Sequence, residues 1–310
     1  NGEGVAHFQE LQHSKTSLNN SSDWDISHWK LTIPASKDTW YGDGGSSAAE
    51  LEPVRCNSSK GELTDDSDVY DNSINLSYFN VENGRMHFRT DMGYGTTTAN
   101  SSYIRSELRE LYVSSSSPDC STSDEDTSWY LVDNRTNSSE HVLTAQLKIE
   151  EYPEISNQVP KVVLGQIHGW KINQALVKLL WEGEDKPVRV ILNSDFERNN
   201  ADCNHCEPFS VTLGSYAANE EWRYTIRANA DGVYLATHDA DGTNTVSHNI
   251  LWGEDYTDKD GDTVFLTSDW SSSDVAFYFK GGIYPQFKPE SNYQGKLFDV
   301  SFVSLIAEHH

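Results

Sequence analysis

Apolar residues in this chain recur at every second position in short runs, and no long three-to-four spacing of a helix competes with them. In residues 142–149, Leu143, Ala145, Leu147 and Ile149 fall on one side, and Thr144, Gln146 and Lys148 on the other. A strand sends successive side chains to opposite faces, so this pattern describes a strand with one packed face and one wet one. The same rhythm marks residues 29–33, 86–89, 188–192, 222–228, 233–237 and 298–305, and Asp231-Gly232 and Asp241-Gly242 read as turns between strands. Strands of this kind can bury their apolar faces only against a second sheet, so an all-β sandwich is expected. Residues 23–310 are read as one such domain, within the usual size of a large sandwich, and residues 1–22, rich in Ser, Asn, Gln and His, as a flexible lead-in. His309 and His310 read as the remnant of a purification tag.

With 23 basic against 48 acidic residues, the formal charge of −25 excludes a nucleic-acid binder. It does not exclude an anionic sugar polymer, because a few cations converging in one cleft create a local field while distant charges are screened. No apolar run is long enough to cross a bilayer, and no signal segment opens the chain, so a mature, extracellular, monomeric protein without a membrane partner is expected. Cys56, Cys120, Cys203 and Cys206 form an even set, which implies two disulfides. Their pairing is not deducible from sequence; the expectation is Cys203 with Cys206 as a loop staple and Cys56 with Cys120 as a tie between loops. The rival is zinc on Cys203-Asn204-His205-Cys206, although the other pair lacks such clustering. Two long loops, 114–134 and 194–208, wall a cleft or are surface excursions. The acidic run 255–262 is a solvated turn rather than a calcium loop, since Tyr256 takes the first ligand position and no Glu closes the pattern.

Three segments carry chemistry. In Arg105-Ser106-Glu107-Leu108-Arg109, a strand aligns Arg105, Glu107 and Arg109 on one face; Glu107 can orient one guanidinium and leave the other to grip a carboxylate bidentately. The alternative is an ordinary surface ion-pair ladder. In Gln166-Ile167-His168, an amide and an imidazole project together opposite Ile167; a satisfied structural histidine is the alternative. In Tyr278-Phe279-Lys280-Gly281-Gly282-Ile283-Tyr284-Pro285-Gln286, Tyr278, Lys280, Tyr284 and Gln286 share one face, and Gly282 leaves an open spot between them for a ligand. Pro285 lacks a ladder donor, which places this strand at an edge or gives it a bulge.

Arg-Ser-Glu-Leu-Arg, Gln-Ile-His and Tyr-Phe-Lys-x-Gly-x-Tyr-x-Gln, in this order, resemble the signature strands of the alginate lyases of polysaccharide lyase family 7. The stretch Asp25-Ile26-Ser27-His28-Trp29-Lys30-Leu31-Thr32-Ile33-Pro34 resembles that family's opening strand, so the resemblance spans residues 25–305. It implies a jelly roll of two antiparallel sheets with the three segments side by side on a concave face. The departures are Gly281, where the family often has Ala, and Pro285, where it often has Asn.

Cleaving a 4-linked uronate by β-elimination requires removing a weakly acidic C5 proton, stabilising charge on the adjacent carboxylate and protonating O4. Arg105 and Gln166, helped by Arg109 or Lys280, would neutralise the carboxylate. His168, an imidazole with a reference pKa of about 6.5, would take the C5 proton. Tyr284 would supply a proton to the glycosidic oxygen, or do both jobs where the two lie on the same side. The resemblance implies the same roles for Arg105, Gln166, His168 and Tyr284, with Arg109, Lys280, Glu107, Tyr278 and Gln286 as substrate contacts. No metal or other cofactor is called for. In the family, Ile between Gln and His accompanies guluronate-containing substrates, so Ile167 leans that way. A non-catalytic carbohydrate-binding sandwich has no need of this set of groups. A glycoside hydrolase needs two carboxylates, and Glu107 is the only acid on the three faces.

Overall fold

In the computed structural model, residues 23–112 and 120–310 are described; the expected lead-in 1–22 and part of the 114–134 loop lie outside them. Each of the alternating segments falls on a strand, Val188 alone lying just outside one. One sheet orders Pro208–Thr212, Arg189–Asn193, Val177–Trp181, Val162–Gly169, Ala276–Pro285, Ser106–Glu110, Trp29–Ser36, Ala48–Pro53 and Gly61–Leu63. It is antiparallel apart from its last strand, Gly61–Leu63, which runs parallel to its neighbour. The second sheet orders Val246–Leu251, Gly232–Asp239, Trp222–Asn229, Glu140–Glu151, Leu297–His309, Arg85–Asp91, Leu76–Glu82 and Asp68–Asp71. Consecutive strands pair towards the edges, while in the middle of each sheet neighbours in space are distant in sequence, as a jelly roll requires when the chain crosses between sheets. Among the described residues no helix is long and apolar enough to cross a membrane.

The core fills the space between the sheets. Phe88 meets Phe79 and Phe302 edge-to-face, each at 5.3 Å between ring centres, and Tyr216 stacks on Trp222 at 4.6 Å. Gly281 belongs to this packing: a Cβ there would come within 2.9 Å of both methyl carbons of Leu305 on the second sheet. The space an alanine would occupy is taken by that leucine, which accounts for the departure at this position.

The Tyr284 strand, Ala276–Pro285, is central rather than at an edge. It meets the demand of Pro285 through the other alternative, a bulge: Gly165 pairs with Gly281 but Val163 with Tyr284, so three residue steps oppose two. Gly282 sits in that bulge with φ of +128°, and a Cβ there would meet the Ser106 carbonyl at 2.8 Å. The open spot expected at Gly282 is therefore absent, because the neighbouring strand's backbone fills it.

Cys56 is bonded to Cys120 and Cys203 to Cys206. The first closes a sequence separation of 64 and the second one of 3. Replacing Cys56 and Cys120 together by Ala should cost about 4 kcal/mol through unfolded-chain entropy, and replacing Cys203 and Cys206 less than half of that. Urea midpoints of the two double variants check the order; equal losses would contradict it. In the acidic hairpin 255–262, Asp258 accepts the N–H groups of Asp260 and Asp262, both at 2.9 Å, as a self-capped turn does.

Candidate active site

Strand register brings the three segments together. Val162–Gly169 and Ser106–Glu110 flank the Tyr284 strand, so that Gln166 pairs with Lys280, Lys280 with Arg109, and Arg109 with Lys30 in one cross-strand row. His168 pairs with Tyr278. Paired residues share a face, and adjacent strands lie ~4.8 Å apart. Long-range pairing thus converts segments separated by more than a hundred residues into neighbours.

Glu107 is the hub. Wholly buried, it accepts Arg105 Nη1 at 2.7 Å and Gln166 Nε2 at 2.8 Å, and lies 3.0 Å from Lys280 Nζ. Burial alone would raise its carboxyl pKa, but the charges of Lys280 and Arg105 and the hydrogen bonds from Lys280 and Gln166 hold it below the usual carboxylate range. This is no surface ladder. Expected among the substrate contacts, Glu107 instead spends both oxygens on protein donors. Glu107→Gln leaves two buried cations uncompensated and should destabilise the fold by about 3 kcal/mol or more. Denaturant unfolding tests this, and an unchanged midpoint would contradict it.

Arg105 lies over the Tyr284 ring at 3.8 Å, and its buried Nε–H has no hydrogen-bond partner among the described residues. Arg109, expected to be free for a carboxylate, is not. Its Nη1 donates to the carbonyls of Glu110 (2.5 Å) and Thr127 (2.8 Å), its Nη2 to Ser128 Oγ (3.3 Å), and its guanidinium stacks on Tyr278 at 3.8 Å. Gln286, just past the strand, donates to the carbonyls of Tyr284 and Pro285 at 3.2 and 3.3 Å, and among the described residues no hydrogen bond joins it to a side chain of the cluster.

His168 Nδ1 lies 3.1 Å from the Gly169 carbonyl and 3.2 Å from Tyr278 Oη. A carbonyl only accepts, so Nδ1 carries the ring proton and Nε2 keeps its lone pair. Burial, then Lys280 and Arg105, push the imidazole pKa down to about 3. Burial and Arg105 likewise push the Lys280 ammonium down to about 8, against the pull of Glu107.

Ser101 and Tyr103 escaped the sequence reading. Ser101 Oγ gives its proton to the Tyr103 carbonyl (3.1 Å), so the Tyr284 hydroxyl donates to Ser101 Oγ (2.6 Å). Nothing in the alternation of the Tyr284 strand announces a partner that sits 183 residues away.

A cleft of about 430 Å³ opens on this face, lined by Arg105, Arg109, Tyr278, Lys280 and Lys30. Both long loops reach it, the first through Thr122 and Ser123 and the second through Asn200. A cavity of about 450 Å³ beneath the C-terminal strand has no such open chemistry, because Glu110 and His309 there lie 2.6 Å apart and bind one another. His309, read as a tag remnant, lies in the strand Leu297–His309.

The two sheets form a jelly roll, and the class is a polysaccharide lyase. The sequence profile described as Alginate lyase matches residues 24–309, so the chain belongs to the alginate lyases of polysaccharide lyase family 7. No curated protein sequence matches it. Among solved structures it is similar to the alginate lyase from Klebsiella pneumoniae, with 18% identity, a TM-score of 0.59, and coverage of 93% of this chain and 97% of that one. An alginate lyase from Pseudomonas aeruginosa has 19% identity and a TM-score of 0.59 over 93% and 100% of the chains. Alginate lyase A1-II', described as a member of polysaccharide lyase family-7, has 20% identity and a TM-score of 0.56 over 93% and 96%.

Proposed function

We propose that the chain cleaves alginate by β-elimination at the cluster of Arg105, Gln166, His168 and Tyr284. The observation that carries this is the buried Nε–H of Arg105, without a partner among the described residues, set beside a neutral imidazole and a phenol on one face. Arg105 and Gln166, both held by Glu107, receive the uronate carboxylate and stabilise the charge that builds on it as the C5–H bond breaks. His168 Nε2 takes the C5 proton. The electron pair forms the C4–C5 double bond, the C4–O4 bond breaks, and Tyr284 gives its proton to O4. Arg109 and Tyr278 act as the wall behind His168. Two disulfides fit an enzyme that works outside the cell.

Ile167 supports a lean towards guluronate-containing stretches. It is buried in the core, so it acts by setting the backbone that presents Gln166 and His168. Variants of A1-II', of similar fold, have been crystallised with GGG as product and GGMG as substrate. Incubation with alginate, pectate and hyaluronan, followed by ultraviolet absorbance of the unsaturated product, tests the reaction; separate polyguluronate and polymannuronate test the preference. Absorbance that does not rise with alginate would overturn the reading.

The depressed pKa of His168 has a kinetic consequence. The base is already neutral well below pH 6.5, so kcat/KM of the free enzyme should be level through the range where an ordinary histidine titrates, with its acid limb displaced towards about 3. An inflection near 6.5 in the pH profile would contradict the assignment.

A further inference from the structure

The Tyr284 hydroxyl has a fixed direction, and the group that fixes it is Ser101. A serine hydroxyl owns one proton and two lone pairs. All of them are in use here: Ser101 Oγ donates to the Tyr103 carbonyl at 3.1 Å, and accepts the Tyr103 N–H at 3.1 Å and the Tyr284 O–H at 2.6 Å. The backbone around it is tied down. Thr96 N–H donates to the Pro34 carbonyl at 3.0 Å, Ala48 N–H to the Thr97 carbonyl at 2.9 Å, and Ser101 N–H to the Thr98 carbonyl at 3.2 Å. Thr98 lines the cleft, and from Ile104, wholly buried, the chain runs through Arg105 into the strand Ser106–Glu110.

The phenol ring is held as firmly as its oxygen. Arg105 rests over it at 3.8 Å, and the Tyr103 ring meets it edge-on at 6.2 Å between centres. A glycosidic oxygen that arrives at Tyr284 as an acceptor takes the O–H away from Ser101. Two oxygens 2.6 Å apart with no proton between them repel, so one of the two must supply another. The Ser101 proton, held only by the neutral Tyr103 carbonyl, is the one within reach, and a turn about the Cβ–Oγ bond brings it there with no heavy atom moving. A hydrogen bond to a charged oxygen is about twice as strong as one between neutral groups. The exchange therefore becomes more favourable as negative charge builds on Tyr284 Oη.

We propose that Ser101 is a positioning residue for the proton transfer to O4: its O–H reverses from the Tyr103 carbonyl onto Tyr284 Oη when substrate binds, and supports the phenolate as the proton leaves. The inference rests on the proposed function and deepens it. The Tyr284 O–H bond breaks, its proton goes to O4 as the C4–O4 bond breaks, and the phenolate left behind accepts the Ser101 O–H. After the products leave, water returns a proton to the phenolate and His168 gives the C5 proton to water, which restores both groups.

The test is steady-state kinetics on alginate of Ser101→Ala and Ser101→Thr, each made in the parent and in Tyr284→Phe. In the parent, Ser101→Ala should lower kcat roughly thirty-fold with KM nearly unchanged, the worth of one hydrogen bond to a charged oxygen, and Ser101→Thr, which keeps the hydroxyl, should recover most of that loss. In Tyr284→Phe, Ser101→Ala should lower the residual rate no further, because a group that acts through the phenol has nothing left to act on. A residue that merely holds the chain would cost the same factor in both backgrounds. Ser102→Ala, at the exposed neighbour, should leave kcat unmoved. A Ser101→Ala rate within about three-fold of the parent, or an equal loss in both backgrounds, overturns the role of Ser101. If Ser101→Ala fails to fold in a thermal melt, Ser101→Thr against Ser101→Val, alike in shape and different by one oxygen, provides the same readout. If the parent enzyme yields no ultraviolet-absorbing product from alginate, or Tyr284→Phe cleaves as the parent does, it is the proposed reaction that falls; if the parent cleaves, Tyr284→Phe does not and Ser101→Ala is normal, only the role of Ser101 falls.

Discussion

Replacing Tyr284 by phenylalanine is expected to lower kcat about a thousand-fold while the protein stays folded and still binds its polymer. The substitution removes one oxygen and keeps the ring, so the face on which Arg105 rests at 3.8 Å survives. The carboxylate grip should survive with it, and KM should change little. What disappears is the O–H poised for the leaving oxygen, now held on Ser101 Oγ at 2.6 Å. Losing that hydrogen bond should cost only about 1 kcal/mol of stability. Initial rates of ultraviolet-absorbing product, with a thermal melt, separate the two effects. Activity within ten-fold of the parent would remove Tyr284 from the proton path.

His168→Ala should be as severe, again about a thousand-fold in kcat at neutral pH, because among the described residues of the cluster the only other nitrogen base, Lys280, is still mostly protonated there. The double variant with Tyr284→Phe should be little worse than either single one, since the two groups act on one concerted step. Losses that multiply would mean the residues work independently. The histidine also has a signature in stability. Its folded pKa, about 3, lies below the reference value of about 6.5. Between those values the unfolded chain takes up a proton that the folded one refuses, so the parent loses stability as pH falls from about 6.5 towards 3. His168→Ala escapes that penalty. Its denaturation midpoint should therefore fall less than the parent's over this window, and a larger fall would contradict the depressed pKa.

Much of the site could be read from alternation. Period-two spacing aligned Gln166 with His168, and Tyr278 with Lys280, because the direction of a strand side chain is set by its own backbone. The same rule failed where the backbone is irregular. The bulge at Gly282 changed what that glycine does, and Gln286, beyond the strand end, turned to its own carbonyls. Ser101 and Tyr103 lie outside any strand, so no period could point to them. The pairing of the four cysteines was an expectation that no pattern in the chain could derive, and the coordinates join Cys56 to Cys120 and Cys203 to Cys206.

By itself, the order of residues determined that this chain builds sheets, which faces are apolar, and which polar groups travel together on one strand. Those are local consequences of tetrahedral carbon and a pleated backbone. The tertiary structure alone decided that Glu107 is buried beneath Arg105, Gln166 and Lys280, and that Arg109 is spent on carbonyls. Burial and charge balance depend on neighbours supplied by strands far apart in the chain, and a single strand carries no record of them.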